Sequence, residues 1–152
     1  MTPRLEFVFS AEVELGAPQE VGHIQSGVDR RVIPITGGRF QGPALEGRVL
    51  AGGADWQVVL PDGTAELDAR YTLETKTGSL ICVYNRGLRT GPPEVLARLR
   101  AGVAVDASSY YFRATPRFET ADPKLRWLER SIFVASGERL ASRVKLDFWR
   151  VG

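Results

Sequence analysis

The residues best suited to chemistry are carboxylates and a guanidinium on short predicted strands. Asp55 follows the glycine pair Gly52-Gly53 and begins a strand, where it could act as a general base. Farther along, Asp68 and Arg70 share one strand face, because side chains alternate between faces. Such a pair could hold a carboxylate or enolate oxygen on the guanidinium and move a proton through the carboxylate. The candidate catalytic residues are therefore Asp55, Asp68 and Arg70.

The orientation of that strand decides whether Asp68 and Arg70 meet a ligand. Leu67, Ala69 and Tyr71 form its opposite, apolar face. If the apolar face fills the interior, the charged pair lies in solvent, as is common for antiparallel sheets with one exposed face. If the interior holds a polar cavity, the pair points into it. The alternation of residues does not choose between these two hypotheses. Asp55 has an alternative of its own, as an ordinary turn residue.

Aromatic and amide side chains supply candidate ligand contacts. Trp56 could form an aromatic wall beside Asp55. Asn85 ends an apolar row and could orient a ligand through a hydrogen bond, although it could equally cap a turn. Tyr111 and Arg113 share a face and could stack on a ligand, with core packing as the alternative. The candidates from residue patterns are thus Trp56, Asn85, Tyr111 and Arg113.

Composition excludes several function classes. Twenty Lys and Arg oppose 18 Asp and Glu, and this net charge of +2 is too small to form the basic stripe that nucleic acids require. The single cysteine, Cys82, allows no internal disulfide and no cysteine zinc cluster. His23 is the only histidine, and no loop has the ligand spacing of a Mg²⁺ or Ca²⁺ site. We expect neither a metal nor a cofactor.

The targeting signals of secreted and membrane proteins are missing from the sequence. Residues 1–6 lack the apolar region of a signal peptide. No apolar run approaches the ~20 residues that span a bilayer. We therefore expect a cytoplasmic protein without membrane association. The 152 residues, 43% of them hydrophobic, suit one domain over residues 1–152.

Alternating hydrophobicity recurs along most of the chain and predicts a mainly β fold. Pro92-Pro93 opens one short helix that Gly102 ends, and a helical turn is predicted around Pro123 to Leu128. Eight to ten short strands with tight turns favour an antiparallel barrel or a sandwich. The predicted strands are Leu5 to Leu15, Arg31 to Phe40, Leu45 to Leu50, Asp55 to Leu60, Ala65 to Thr75, Ser79 to Arg86, Ser109 to Phe118, Ser131 to Ser136 and Arg143 to Val151.

Several motifs together resemble a known family. They are residues 31–38 (RVIPITGG), Gly42-Pro43, residues 47–50 through Asp55-Trp56, residues 68–71 (DARY), residues 85–87 (NRG), residues 111–113 (YFR), and residues 118–120 (FET) leading to Trp127-Leu128. This pattern is similar to the domain-of-unknown-function family numbered 3237. The resemblance spans nearly the whole chain and implies a calycin-like antiparallel β-barrel, similar in outline to lipocalins, without a settled activity.

The resemblance also bears on the site. The polar positions typical of the family fall on Asp55, Asp68, Arg70, Asn85 and Arg113, which makes the polar-cavity hypothesis as strong as the solvent-facing one. Tyr71 and Trp127 lie in matching segments and complete the candidate ligand-binding residues.

Two functions fit these residues. The first is a cofactor-independent enzyme of the isomerase, lyase or cyclase type, acting on a small oxygenated molecule that is aromatic or cyclic. The second is a barrel that binds a small acid without catalysis. A buried aspartate that faces a cavity without a full salt bridge favours the enzyme, whereas one locked to an arginine favours binding. A third hypothesis is a homodimer formed through a strand face.

Overall fold

Ten antiparallel strands and three short helical segments make up the fold, in a computed structural model that describes residues 1–152. The helical segments are α1 (Pro93–Arg100) and two 3₁₀ helices, Ala107–Ser109 and Pro123–Arg130. The strands are β1 (Leu5–Leu15), β2 (Gln19–His23), β3 (Asp29–Gln41), β4 (Glu46–Val49), β5 (Gly53–Val59), β6 (Ala65–Thr75), β7 (Leu80–Thr90), β8 (Tyr111–Thr120), β9 (Ile132–Arg139) and β10 (Arg143–Val151).

The sheet closes on itself as a barrel with eight strand positions. β1 pairs with β10 on one side and with β3 on the other, so the ring of strands is closed and has no free edge. β4 and β5 lie end to end between β3 and β6 and together fill one position. β2 pairs only with β3 and lies outside the ring. This architecture confirms the predicted antiparallel barrel of eight to ten strands.

Most predicted elements agree with the structure, but β2 was not predicted and β7 is longer than predicted. The sequence Asn85-Arg86-Gly87 resembles a turn, yet the strand continues to Thr90. A Cβ on Gly87 would lie 2.6 Å from the carbonyl oxygen of Arg113 on β8, so this glycine permits a close approach between two strands. The continuation of β7 brings Arg89 into the barrel.

Aromatic packing fills one end of the barrel. Phe9 stacks on Phe148 with ring centroids 4.4 Å apart, and Phe118 meets Phe133 edge to face at 5.0 Å. The 3₁₀ helix Pro123–Arg130 packs on this end and buries Leu128. Such rings contribute both buried area and specific geometry to stability. This end is therefore a solid hydrophobic core.

The opposite end of the barrel is organised by α1. The helix follows β7 almost directly, and its apolar residues Leu96 and Leu99 are buried in the core. Arg100, its last residue, donates to Asp29 at the start of β3 at 2.9 Å. No helix of the protein has the length and apolarity that a membrane span requires. The candidate site lies in this half of the barrel.

Candidate functional site

A cavity of about 50 Å³ lies in the barrel, bounded by residues from eight strands. Its polar lining residues are Asp55, Gln57, Tyr71, Asn85, Arg89 and Arg139. Its apolar lining residues are Val13, Leu15, Ile33, Ile35, Leu67, Ala69, Phe112, Ala114, Val144 and Leu146. A mostly apolar wall with a few convergent polar groups is the usual form of a small-molecule site. The volume is well below the roughly 300 to 1,000 Å³ of usual ligand pockets, so the cavity as it stands holds only the reactive part of a ligand.

Asp55 is the only carboxylate that lines this cavity. Its Oδ1 accepts from the backbone N–H of Asp68 at 2.9 Å, and its Oδ2 accepts from Gln57 Nε2 at 3.2 Å. Although part of the residue remains accessible, burial of the carboxyl raises the pKa of Asp55, against the opposing effects of these two hydrogen bonds and of Arg89. No arginine forms a salt bridge with it. Asp55 is therefore available to exchange a proton with a bound molecule.

The orientation of Gln57 is fixed by its neighbours. Arg31 Nη1 donates to Gln57 Oε1 at 3.3 Å, and a guanidinium can only donate. The Gln57 amide nitrogen consequently faces Asp55, where it donates. Gln57 is 1% exposed, so this short chain of contacts holds Asp55 in place from inside the barrel wall.

Three arginines are buried together in this half of the barrel: Arg31, Arg89 and Arg139. Burial, with the nearby positive charge of Arg139, lowers the pKa of Arg89 to about 10, while Asp55 opposes the shift. Burial and the charge of Arg31 likewise lower the pKa of Arg139. The guanidiniums of Arg89 and Arg139 line the cavity, stay charged at neutral pH despite these shifts, and create a positive potential there.

The compensation of these positive charges is incomplete. Arg31 is paired with Glu20, whose carboxylate lies 2.8 Å from Nε. Arg139 Nη1 donates to the backbone carbonyl oxygens of Ala141 and Arg143 at 3.3 and 3.4 Å, which are neutral partners. Arg89 Nε is buried without a hydrogen-bond partner. The cavity therefore has a net positive charge, whether Asp55 is ionised or not, and it favours an anion.

Two uncharged polar groups complete the site. Tyr71 and Asn85 are each 5% exposed, and both line the cavity from neighbouring strands β6 and β7. Burial raises the pKa of the Tyr71 hydroxyl, and the nearby Asn85 amide opposes the shift. Tyr71 Oη and Asn85 Oδ1 nevertheless have no hydrogen-bond partner of ordinary geometry. The phenol stays protonated and can donate to a ligand.

Comparison with known proteins identifies the family of this chain. Residues 3–151 match the family described as "Protein of unknown function (DUF3237)". The chain belongs to this family. A UPF0311 protein from Rhodopseudomonas palustris strain TIE-1 is 43% identical over 153 residues, which cover 99% of each chain. The resemblance inferred from the sequence motifs is thereby confirmed.

Solved structures and one named enzyme extend the comparison. A beta-barrel like protein from Acinetobacter baumannii superposes with a TM-score of 0.88 at 42% identity, covering 100% of this chain and 98% of the other. The hydroalkoxylation enzyme phnH of Penicillium herquei is 25% identical over 149 residues, covering 98% of this chain and 84% of the relative. The structure of an enzyme from the same fungus matches with a TM-score of 0.74 at 22% identity, covering 100% and 96%. This last likeness shows the fold.

The site of this DUF3237 chain includes some of the residues that the sequence predicted. Asp55, Tyr71 and Asn85 line the cavity. Asp68 and Arg70 do not, which corrects the hypothesis that they point inward. They lie on the outer face of β6, where their side chains are 33% and 59% exposed and 3.8 Å apart. The apolar face of β6 is the one that fills the barrel, so the solvent-facing alternative is the right one.

The other predicted ligand contacts also lie away from the cavity. Trp56 and Tyr111 are exposed on the outer wall. Arg113 is outside as well, with its guanidinium 5.4 Å from the centre of the Tyr111 ring. Trp127 belongs to the 3₁₀ helix at the aromatic end and packs near Phe133, with ring centroids 6.1 Å apart. Since none of the four lines the cavity, their proposed ligand contacts are not supported there.

Four polar residues of the site were missed from the sequence: Arg31, Gln57, Arg89 and Arg139. A signal for two of them was present. Gln57 is two residues after Asp55, and Arg89 is four residues after Asn85. Side chains an even number of residues apart lie on the same face of a strand, so each shares a face with a predicted site residue. Arg31 and Arg139 lie near strand ends, where the sequence alone does not distinguish a buried arginine from an exposed one. For metal binding, no group of three or more His, Cys, Asp or Glu side chains is clustered in the structure.

Proposed function

We propose that this DUF3237 barrel is a cofactor-independent enzyme that moves a proton on a small oxygenated molecule. Asp55 accepts and returns the proton, and Arg89 stabilises the oxyanion that forms. The observation that carries the proposal is a carboxylate without a salt bridge that lines the same cavity as a buried guanidinium whose Nε has no partner. A carboxylate with a raised pKa transfers protons more effectively near neutral pH than an ordinary one.

The chemistry needs no external electron acceptor. Asp55 removes a proton from a carbon or a hydroxyl of the substrate, and the electron pair is left on an enolate, phenolate or alkoxide oxygen. Arg89 donates to that oxygen, in a mostly apolar cavity where the interaction is stronger than in water. Return of the proton to another carbon gives isomerisation. Its transfer to a leaving oxygen, while that C–O bond breaks and a C=C bond forms, gives elimination, and addition of the substrate oxygen to a C=C bond, with the proton delivered to the other carbon, gives cyclisation. These are the isomerase, lyase and cyclase types.

The fungal relative favours the cyclisation branch. Hydroalkoxylation adds an O–H group across a C=C bond, so one C–O and one C–H bond form while the O–H and π bonds break. In this barrel Asp55 would take the hydroxyl proton and deliver it to the alkene carbon, and Arg89 would hold the oxygen during the transfer. The name of the relative supports the reaction class, and the cavity residues support the roles.

Proton-transfer assays test the proposal. The wild-type protein is incubated with cyclohexanone in D₂O and separately with 2-allylphenol, as the first members of a panel of cyclic ketones and alkenyl phenols. ¹H NMR follows deuterium exchange and ring closure. We expect Asp55→Asn to lower any accelerated rate at least about 100-fold, since general acid–base catalysis contributes that much.

Two controls keep the result specific. Asp147→Asn removes an exposed carboxylate of the outer wall, and Arg86→Met removes an exposed guanidinium three residues from Arg89. Both variants should retain the wild-type rate. Full activity in Asp55→Asn would refute the proposed role of the aspartate.

A second candidate function is binding without catalysis. It is favoured by the cavity of about 50 Å³ and by its surplus of buried positive charge, which suit the capture of a small acid. A binding barrel would show a rise in Tm with small carboxylates in both the wild type and Asp55→Asn, with no turnover in either. An enzyme would lose turnover in Asp55→Asn while it keeps binding.

A further inference from the structure

Three buried polar atoms in the cavity have no hydrogen-bond partner: Tyr71 Oη, Asn85 Oδ1 and Arg89 Nε. Their residues are at least nine-tenths buried, at 5%, 5% and 4% exposed. Buried polar atoms in proteins nearly always have a partner, because leaving one unpaired is costly. Only two other side-chain atoms in the protein share this condition, Ser131 Oγ and Arg150 Nε. The concentration of three in one cavity indicates a ligand that satisfies them together.

The chemistry of the three atoms restricts that ligand. Arg89 Nε can only donate, so it requires an acceptor, and its positive charge favours an anionic one. Asn85 Oδ1 can only accept, so it requires an O–H or N–H group on the ligand. The Tyr71 hydroxyl can do either; the Asn85 side chain lies near it but makes no hydrogen bond of ordinary geometry with it. A simple carboxylate satisfies Arg89 and leaves Asn85 Oδ1 unpaired.

The two requirements fall on different parts of the ligand. Asn85 and Arg89 are four residues apart on the inner face of β7, which corresponds to about 13 Å between their Cα atoms. Because both side chains line one cavity of about 50 Å³, the ligand bridges a shorter distance than this. Apolar side chains, among them Leu67 and Phe112, line the same cavity. The ligand therefore needs an apolar body between its anionic group and its hydrogen-bond donor.

We propose that the cavity takes a small hydroxylated organic anion. Its anionic oxygen lies on Arg89, its hydroxyl donates to Asn85 Oδ1, and its hydrocarbon body contacts the apolar wall. This inference names the substrate class of the proposed enzyme and so concerns the same site, but it rests on binding contacts alone. It predicts that Asn85 selects hydroxylated acids over their parent acids.

Matched ligand series test the selection by calorimetry. One series is butyrate, 4-hydroxybutyrate and 4-methoxybutyrate, and the other is benzoate, 3-hydroxybenzoate and 3-methoxybenzoate. In at least one series the hydroxy acid should bind the wild type about tenfold more tightly than its parent or its methyl ether. The methyl ether controls for size, because it keeps the oxygen and loses the donor.

Variants assign the preference to residues. Asn85→Leu, which is similar in shape and cannot accept a hydrogen bond, should lower the affinity for the hydroxy acid to that of the parent acid. Arg89→Met should weaken both acids, whereas Arg86→Met on the outer face of the same strand should change neither. Circular dichroism and thermal melting confirm that each variant is folded, and Asn85→Asp provides a second variant, which should reject both anions.

The outcomes separate this inference from the proposed function. Equal binding of hydroxy and parent acids by the wild type in both series overturns the inference, even if Asp55-dependent proton transfer is observed. So does an Asn85→Leu variant that weakens both acids equally. A tenfold preference that depends on Asn85 supports the inference, even if Asp55→Asn leaves every measured rate unchanged.

Discussion

Replacement of Arg89 by methionine should stabilise the protein while it removes anion binding. Arg89 is 4% exposed, and burial is the largest cause of its lowered pKa of about 10. A buried cation without a partnered carboxylate destabilises a fold, and an unbranched apolar side chain in its place does not have this cost. The prediction is therefore a gain in stability at a residue of the site.

The magnitude follows from the pKa shift. A fall from the ordinary value of an arginine to about 10 corresponds to roughly 2 to 3 pKa units, or about 3 kcal/mol at 1.36 kcal/mol per unit. Because the folded state binds this proton more weakly than the unfolded chain, the cost is fully present below pH 10 and disappears only as the pH rises from there toward the ordinary pKa of an arginine. Methionine is smaller and leaves some space unfilled, which offsets part of the gain. A net gain of about 2 kcal/mol should raise Tm by about 4 to 8 °C.

Scanning calorimetry at pH 7 measures the effect, with urea unfolding as an independent measure. Arg86→Met is the matched control, because Arg86 is exposed on the same strand and its replacement should change the free energy of unfolding by less than about 0.5 kcal/mol. Addition of a small carboxylate should raise the Tm of the wild type and leave that of Arg89→Met unchanged.

A fall in Tm for Arg89→Met would refute the reasoning. It would mean that Arg89 forms a stabilising ion pair with Asp55, whose loss leaves an uncompensated carboxylate in the barrel. The structure argues against that outcome because Asp55 takes its hydrogen bonds from Gln57 and from the Asp68 backbone, and because its raised pKa lets it become neutral by protonation.

Three further predictions concern the site and its walls. Since burial raises the pKa of Asp55, the folded state holds its proton more tightly, and wild-type stability relative to Asp55→Asn should decrease as pH rises above about 4 in thermal melts. Asp68→Asn and Arg70→Ala, on the outer wall, should keep ligand affinity within about twofold by calorimetry, and a large loss would restore the inward-facing hypothesis. Gly137→Ala should lower the free energy of unfolding by about 1 to 3 kcal/mol in urea titrations, because the added Cβ would lie 2.7 Å from the ring of Phe112.

The fold was largely predictable because strand periodicity is a local property. β6 and β10 have the predicted bounds, Ala65–Thr75 and Arg143–Val151, since alternation and turn residues define both their ends. β2 was not predicted, because residues 19–23 are mostly exposed and show no apolar alternation. These residues form a strand because they pair with β3, and the sequence of the segment alone does not indicate that pairing.

The site was only partly predictable because strand alternation does not tell inside from outside. On β6 the charged face was a reasonable candidate, yet the apolar face, including Tyr71, is the one that meets the cavity. Asn85 was correctly placed, since it continues a row of buried apolar residues. Arg89 lies on the same face of β7, but Asn85-Arg86-Gly87 looks like a turn in the sequence, so the strand was predicted to end before Arg89.

The division of the barrel into two halves explains how it tolerates such a site. Phe9, Phe118 and Phe148 pack against one another at the aromatic end, and each buried ring contributes on the order of 2 to 3 kcal/mol. That contribution is sufficient to offset the cost of the buried Arg89 charge at the opposite end. A substitution that loosens the aromatic end, such as Phe148→Ala, should therefore destabilise the whole barrel before it alters the geometry around Asp55. Three of the five buried side-chain polar atoms without a partner line the cavity, which is where a protein that binds a ligand needs them.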